Sequence, residues 1–247
     1  MIHQLTIVVL GSIAAGFVQG LSGFAFGLVA MSIWAWTLDP TLAGPLVVFG
    51  SFAGQMVAAR TILRGTRPVE AIPMVAGGIV GVPIGVALLK HIDPATFKTC
   101  VGMLLIVWCP AMLLSRNLPR VVWGGYWTDA AAGWIGGIMG GLGGLTGPVP
   151  ILWGTLRGWD RRIQRVRFMV YNLTMQGLTF VVYLASGTVP RTALPLFAVM
   201  LPAVFAATAL GFRLYHRVSD VTFRRVILGL LTAMGAVLVA TGAVRWL

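Results

Sequence analysis

The sequence has few acidic residues and few ionisable groups of any kind. Only six of its 247 residues are Asp or Glu, and charged residues make up 10% of the chain against 58% hydrophobic residues. The mean hydropathy of +0.91 is far above that of a soluble domain. These proportions exclude a soluble globular protein and indicate one integral membrane domain over residues 1–247.

Acidic side chains and histidines are missing from the middle of the apolar segments. They occur in or beside the short polar loops, at Asp39, Glu70, Asp93, Asp129, Asp160, Asp220, His3, His91 and His216. A buried carboxylate relay, as in many proton-coupled or cation-coupled carriers, is therefore not expected. A membrane path without carboxylates is neutral or positive, which suits an anion.

Cysteine is scarce, and groupings of catalytic residues are missing. Cys100 and Cys109 lie nine residues apart in one apolar segment, without metal-ligand spacing, so we expect packing cysteines and no disulfide or metal site. No nucleophile and base pair or phosphate-binding loop is recognisable. We expect no enzymatic activity and no cofactor.

The net charge of +12 comes from 18 Lys and Arg residues that cluster between the apolar segments. In a membrane protein such residues set the orientation, because basic loops stay in the cytoplasm. A nucleic-acid partner is therefore not expected.

Eight apolar segments are separated by these loops, at residues 5–38, 41–63, 69–90, 97–115, 128–156, 163–185, 191–213 and 224–246. Six of them have ordinary spanning length, about 20 residues. The first and fifth, 34 and 29 residues long, are long for one straight span and short for two. Each is interpreted as either a tilted, broken span or a re-entrant hairpin of two half-helices.

The fifth segment contains a glycine-rich stretch, Gly136 to Pro150, with seven glycines and two prolines. Because glycine and proline disfavour a helix interior, the helix is expected to break between Leu145 and Pro150. Thr146 and Pro148 then predict an N-cap and a first-turn proline of a new helix. The N-terminus of that helix would lie at membrane depth and favour an anion.

The sequence also contains an internal repeat. An offset of 121 residues aligns Gly16, Gly20, Leu21, Gly23 and Gln55 with Gly137, Gly141, Leu142, Gly144 and Gln176. An offset of 126 aligns residues 85, 97 and 98 with residues 211, 223 and 224. The pattern predicts a four-segment unit used twice, as repeat one over about 5–115 and repeat two over about 128–246.

The distribution of basic residues between the two sides of the membrane distinguishes the two interpretations of the long segments. If each long segment crosses once, the two sides carry seven and eleven basic residues. If each is a hairpin, one side carries only Lys90, Lys98, Arg191 and Arg245, and the other carries fourteen. The hairpin interpretation gives the stronger positive-inside bias and makes the repeats inverted. It predicts cytoplasmic basic loops and both termini in the periplasm.

Polar side chains within the apolar segments are the candidate ligands of an anion, since amides and hydroxyls can replace its hydration shell. They are Gln19, Ser22, Ser51, Gln55, Thr146, Tyr171, Asn172, Thr174 and Gln176. For any one of them a hydrogen bond between helices is the better explanation, as close packing is for a lone GxxxG pattern. Gln55 and Gln176 stand out because the repeat relates them. Arg167 is a candidate for attracting anions, although orientation explains most of its basic neighbours.

These features resemble the sulfite exporter TauE/SafE family, also called the 4-toluene sulfonate uptake permease family. The resemblance rests on Gly16 to Gly27, on GGIMGGLGGLTGPVPIL with Arg167 and Phe168 after it, and on the duplicated plan. It implies transport of sulfite, sulfoacetate or other sulfonates across a bacterial inner membrane. The family's glycine-rich motifs fall on Gly20, Ser22, Gly23, Gly141, Gly144, Thr146, Gly147 and Pro148.

The sequence thus predicts an all-α polytopic membrane protein that exports small sulfur-containing or organic anions by alternating access. Its predicted substrate-binding residues are Gln19, Gly20, Ser22, Gly23, Gln55, Gly141, Gly144, Thr146, Gly147, Pro148, Asn172 and Gln176. A cation-coupled symporter, a passive anion channel and a non-transporting assembly factor remain alternatives. The expected partners are the anionic substrate and the lipid bilayer, with a homodimer also possible.

Overall fold

A computed structural model describes residues 2–63, 68–114, 120–121, 123–190, 193–214 and 220–243. The described part of the chain forms ten α-helices and one 3-10 turn over Pro68–Ala71, with no strand. The helices are α1 Ile2–Ser22, α2 Phe26–Trp34, α3 Pro40–Leu63, α4 Ile72–Leu89, α5 Pro94–Leu114, α6 Gly125–Gly143, α7 Pro148–Leu156, α8 Arg161–Ala185, α9 Ala193–Leu214 and α10 Asp220–Ala243. The predicted all-α class is confirmed.

Seven candidate membrane spans lie within the described ranges. They fall in α1, in the 3-10 turn with α4, and in α3, α5, α8, α9 and α10. Large apolar side chains such as Val107 and Val181 are 65% and 60% exposed on these helices, as expected of a surface that faces lipid. The protein is therefore a multi-pass membrane protein.

The two long segments fold back on themselves. The indole Nε1 of Trp34 in α2 donates to the Ile7 carbonyl in α1 over 3.2 Å, so α2 returns along α1. In the same way, Trp153 Nε1 of α7 donates to Asp129 Oδ1 of α6 over 2.7 Å. Neither segment is a straight broken span, and we call α1–α2 the first hairpin and α6–α7 the second.

The arms of these hairpins are unequal, which differs from the expectation of two half-helices. The first arms contain 21 and 19 residues, whereas both returning arms contain nine. At 1.5 Å per residue, a 21-residue arm is about 31 Å long, the thickness of the hydrocarbon core. Glycines do not interrupt the first arms because neighbouring helices pack directly against them.

Each hairpin turns at a glycine that adopts a positive φ. Gly23 has φ +86° and Gly144 has φ +72°, a conformation in which a Cβ would be strained. Both N–H groups donate over 2.6 Å to the carbonyl four residues earlier. The predicted helix break is confirmed, since α6 ends at Gly143 and α7 begins at Pro148. We call residues 23–25 the first tip and residues 144–147 the second tip.

The predicted N-cap of the second short helix was wrong by one residue. The cap position is Gly147, which has no side chain to bond the helix, and Pro148 occupies the first turn as expected. Thr146 lies one residue before the cap, and its hydroxyl donates to Asn172 instead.

Glycines spaced four residues apart join helices within one chain. A Cβ on Gly77, Gly81 or Gly85 of α4 would overlap the backbone of α6, and one on Gly20 would overlap the α9 backbone at Thr208. Close packing of small residues is the usual way to bring membrane helices together. The α4 face is therefore covered by α6, and the homodimer stays a prediction that this face does not support.

At the centre, α3 and α8 run antiparallel. Gly44 of α3 lies beside Tyr183 of α8, and further along Phe52 lies beside Gly177. The glycines open enough room for aromatic side chains in the seam between the two helices. This seam brings the predicted polar residues of the two halves together.

The close contact between α4 and α6 predicts that one methyl group added at Gly81 lowers the stability of the protein. Gly81→Ala should lower the midpoint of thermal unfolding in detergent, because its Cβ overlaps the Trp134 carbonyl and overpacking typically destabilises by about 1–3 kcal/mol. Gly229→Ala on α10 is the matched control, since nothing lies within 4 Å of its added Cβ. Equal midpoints for the two variants would contradict this packing.

Candidate functional site

Polar side chains lie near the middle of α3 and α8 and are almost fully buried. Ser51, Asn172 and Gln176 are 1–2% exposed, and Thr146 of the second tip is 2% exposed. In a bilayer such groups need partners inside the protein, because there is no water to bind them. Their hydrogen bonds therefore show which of them are available to a ligand.

The second tip is held by Gln176. Its Nε2 lies 2.9 Å from the Gly144 carbonyl, 3.2 Å from Thr146 Oγ1 and 3.3 Å from Ser51 Oγ. Thr146 in turn donates over 2.8 Å to Asn172 Oδ1. This network links the tip to both central helices, and it gives a partner to a carbonyl that the helix end leaves unpaired.

The first tip is closed by its own serine. The Ser22 hydroxyl donates to the Val18 carbonyl over 2.8 Å and accepts from the N–H groups of Phe24 and Ala25 at 3.4 and 3.2 Å. Ser22 therefore satisfies backbone groups at the break. Gln19, one turn earlier, donates its Nε2 to the Ser51 carbonyl over 2.9 Å and so ties the tip to α3.

The two tips meet in the centre of the protein. Gly27 packs against the Gly144 carbonyl, and Phe24 lies beside Gly147. The Trp108 indole donates to the Pro148 carbonyl over 2.7 Å and contacts the Phe24 ring edge to face. A substitution at Gly27 would therefore push the two hairpins apart, and one at Gly144 would press on Val47 and Val48 of α3.

The start of α7 is a poorer anion site than the sequence predicted. Pro148 and Pro150 occupy two of its first three positions, and proline has no N–H to donate. Both residues are buried. The dipole of the helix is present, but two of the backbone donors that would normally serve an anion are not.

A narrow cavity with room for about one water molecule lies beside the first tip. It is lined by Gln19, Gly20, Gly23, Gly54, Gln55, Arg165, Met169, Thr208 and Phe212. Gln55 is near the middle of α3, and Arg165 is in the second turn of α8. The cavity thus extends from the membrane centre toward the start of α8, where basic residues are concentrated.

Several buried oxygens have no hydrogen-bond partner among the described residues. They are Oε1 of Gln19, Gln55 and Gln176 and the hydroxyls of Thr179 and Thr208. Three of these residues, Gln19, Gln55 and Thr208, line the cavity. Buried polar groups are normally paired, so these three residues are candidates for binding another molecule or a water.

Arg167 does not line this cavity. Its guanidinium bonds Glu70 at 2.8 Å, lies 3.8 Å from an Asp129 oxygen and stacks 4.1 Å from the Trp159 ring centre. Asp129 is itself only 6% exposed and belongs to α6, although the sequence placed it beside a loop. The charge of Arg167 is therefore matched locally, and Arg165 is the cavity's basic residue.

The sequence model of one protein family, described as Sulfite exporter TauE/SafE, matches residues 8–238 of the chain. The chain belongs to this family. The resemblance seen in the glycine-rich motifs is confirmed, and the match includes both tips and every residue that lines the cavity. No curated protein and no solved structure matches the chain significantly. Membership of TauE/SafE makes the protein a membrane transporter.

The predicted site residues of this TauE/SafE protein divide into four groups. Gln19, Gly20, Gly23 and Gln55 line the cavity. The others lie elsewhere: Gly144, Thr146, Asn172 and Gln176 in the buried network, Ser22, Gly147 and Pro148 at the tips, and Gly141 against α4. Sequence reasoning missed Arg165 and Thr208. Thr208 had a usable signal, because it is the one polar residue between positions 193 and 211.

Removing the Gln176 amide should destabilise the TauE/SafE fold. Hydrogen bonds between membrane helices are worth about 0.6 kcal/mol on average, but Gln176→Leu also leaves the buried Gly144 carbonyl unpaired. We therefore expect a loss of about 1–3 kcal/mol, read as a lower unfolding midpoint. Thr174→Val is the control, since its exposed hydroxyl bonds only a carbonyl of its own helix. Equal midpoints would show that Gln176 does not hold the tip.

Proposed function

We propose that this protein is a permease that exports small sulfur-containing or organic anions, such as sulfite, sulfoacetate or other sulfonates. The anion binds in the cavity beside the first tip. The observation that carries the proposal is that Arg165 and the buried amide of Gln55 line one cavity whose lining includes no acidic residue. Membership of the sulfite exporter family supports the substrate class.

The cavity chemistry suits a monovalent oxyanion. Arg165 supplies positive charge and charge-assisted hydrogen bonds, which are stronger than neutral ones. Gln55 lines the cavity, and its Oε1 has no hydrogen-bond partner among the described residues. Met169 and Phe212 form apolar walls that suit the short carbon chain of a sulfonate. The cavity is narrow, so α1 and α9 separate from α8 when the anion enters.

Alternating access follows from two inverted repeats. Adding the 121-residue offset converts the turning glycine Gly23 into the turning glycine Gly144. The repeat relates α1 to α6 and α4 to α9. The packing of α1 on α9 therefore corresponds to the packing of α6 on α4. The seam between α3 and α8 lies between the halves, and rocking about it exposes the cavity to one side at a time.

The two halves do not carry equivalent binding sites. The offsets relate Gly54 to Met175 and Thr208 to Val82. At the place that corresponds to the cavity, the other half of the repeat therefore has two larger or apolar side chains. Gln176, the counterpart of Gln55, is engaged by the second tip. One anion per chain is therefore expected.

Export needs no intramembrane carboxylate. The cell interior is negative, and an anion that leaves gains about 2.3 kcal/mol per charge for each 100 mV of membrane potential. The cavity reaches Arg165, in the basic segment 157–167 that the positive-inside rule places in the cytoplasm. Substrate then enters from the cytoplasm of a bacterial cell and leaves across the inner membrane.

This orientation predicts where the chain ends lie. A reporter enzyme that is active only in the periplasm should be active when fused after Leu247. The same reporter fused after Arg157, in the basic region between α7 and α8, should be inactive. The opposite pair of activities would reverse the proposed orientation, and with it the direction of transport.

Transport by the purified protein in liposomes tests the site. Wild type should move labelled sulfite and sulfoacetate with a rate that increases with imposed voltage. Gln55→Leu and Arg165→Gln should each lower kcat/KM about tenfold or more, the effect of losing a hydrogen bond to a charged group. Arg225→Gln is the matched control, because it removes the same charge from an exposed position on α10 outside the cavity.

Other outcomes separate the alternatives. Flux that requires a proton or sodium gradient, whatever the voltage, would make the protein a symporter. Conductance far above carrier turnover in a planar bilayer would make it a channel. Absence of flux for every anion tested would favour a non-transporting assembly factor. Loss of flux in Arg225→Gln equal to that in Arg165→Gln would contradict the placement of the site.

A further inference from the structure

The orientation of one buried amide in the cavity is fixed by chemistry. Nε2 of Gln19 donates over 2.9 Å to the Ser51 carbonyl, which can only accept. The other amide atom is therefore an oxygen. Gln19 is 2% exposed, lines the cavity, and its Oε1 has no partner within the described residues. The cavity thus has a fixed hydrogen-bond acceptor in its wall.

A second oxygen borders the same space. Thr208 is 1% exposed, and its hydroxyl also has no partner in the described part of the chain. A Cβ built on Gly54 would overlap Gln19 Oε1 and lie 3.0 Å from Thr208 Oγ1, so both oxygens lie close to the same point beside the Gly54 backbone. The sequence led us to expect amide donors here, whereas Gln19 presents an acceptor.

A ligand that carries only acceptor atoms fits this wall less well than one that also carries a donor. The oxygens of a fully ionised oxyanion would be repelled by Gln19 Oε1 and would leave it unpaired, which is unfavourable for a buried group. Arg165 lines the same cavity and attracts negative charge. The complementary ligand is negative at one end and has an O–H or N–H group at the other.

We infer, on the basis of the permease function proposed above, that the cavity selects monoanions that carry their own hydrogen-bond donor. A hydroxyalkanesulfonate and hydrogen sulfite belong to this class, whereas sulfate and simple alkanesulfonates do not. The sulfonate or sulfite oxygens face Arg165, and the donor bonds Gln19 Oε1 with Thr208 Oγ1 beside it. Thr208 and Gln19 are then the residues that determine specificity.

A sodium ion also binds amide and hydroxyl oxygens. The lining of this cavity includes a guanidinium and no carboxylate, which disfavours a cation. The anion with a donor group satisfies both the charge and the unpaired oxygens.

Two probe anions of equal length test the inference in proteoliposomes. In 2-hydroxyethanesulfonate a hydroxyl occupies the place of the terminal methyl of propane-1-sulfonate. Wild type should transport the hydroxyl compound with a kcat/KM about tenfold higher or more, because a site built to bond a hydroxyl rejects an analogue that lacks it. Thr208→Val, which keeps the shape of the side chain, should reduce that ratio, and Gln19→Met should bring it close to one.

Thr208→Val keeps the test independent of folding, because the Thr208 hydroxyl has no partner to lose, whereas Gln19→Met also breaks the bond to Ser51. Equal transport of the two sulfonates by wild type would overturn the inference and leave the permease function standing. A sodium requirement together with equal transport would assign the oxygens to a cation and overturn it as well. If neither sulfonate nor sulfite moves, the proposed function itself fails, and the inference with it.

Discussion

The structure depends on the need to satisfy backbone groups where a helix breaks inside hydrocarbon. A helix end leaves carbonyls and N–H groups unpaired, and a bilayer offers no water to bind them. Here each break has an internal solution. Ser22 bonds the N–H groups of the first tip, and Gln176 bonds the carbonyl at Gly144 of the second. Turning glycines make the reversal possible, and the contact between Gly27 and Gly144 removes the remaining exposed backbone.

These solutions decide which polar groups remain for a ligand. Thr146, Asn172 and Gln176 were attractive candidates because they sit at or beside a break. The donors of Thr146 and Gln176 are engaged in holding it, and Asn172 Oδ1 accepts from Thr146. Beside the first tip the serine does that work locally, so Gln55 and Thr208 are left without partners. The Nε2 donor of Gln176 is engaged by the scaffold, whereas the unpaired oxygens of Gln19, Gln55 and Thr208 belong to residues that line the cavity. This difference explains why the cavity lies on one side of the repeat.

Much of the architecture could be predicted from the sequence, because hydropathy and glycine content act locally. The six ordinary spans, the helix break before Pro148 and the family follow directly from residue patterns. The length of the first arms could not be predicted, because Gly11, Gly16 and Gly20 read as helix breakers until a facing helix is known. The site was only half predictable for the same reason. Gln19 and Gln55 were found, but Arg165 and Thr208 join them through contacts between helices distant in sequence.

The distribution of charge follows from the scarcity of acidic residues. Two of the six, Glu70 and Asp129, are gathered around Arg167, which they fix between the start of α4, α6 and α8. Arg165, two residues earlier on α8, points to a different side of the helix, since successive residues are about 100° apart. One arginine thus becomes a structural link between the two halves, and its neighbour supplies the charge of the cavity. The basic residues of this cluster together orient the protein in the membrane. Arg165 and Arg167 have different further roles, and the groups around each arginine determine which role it has.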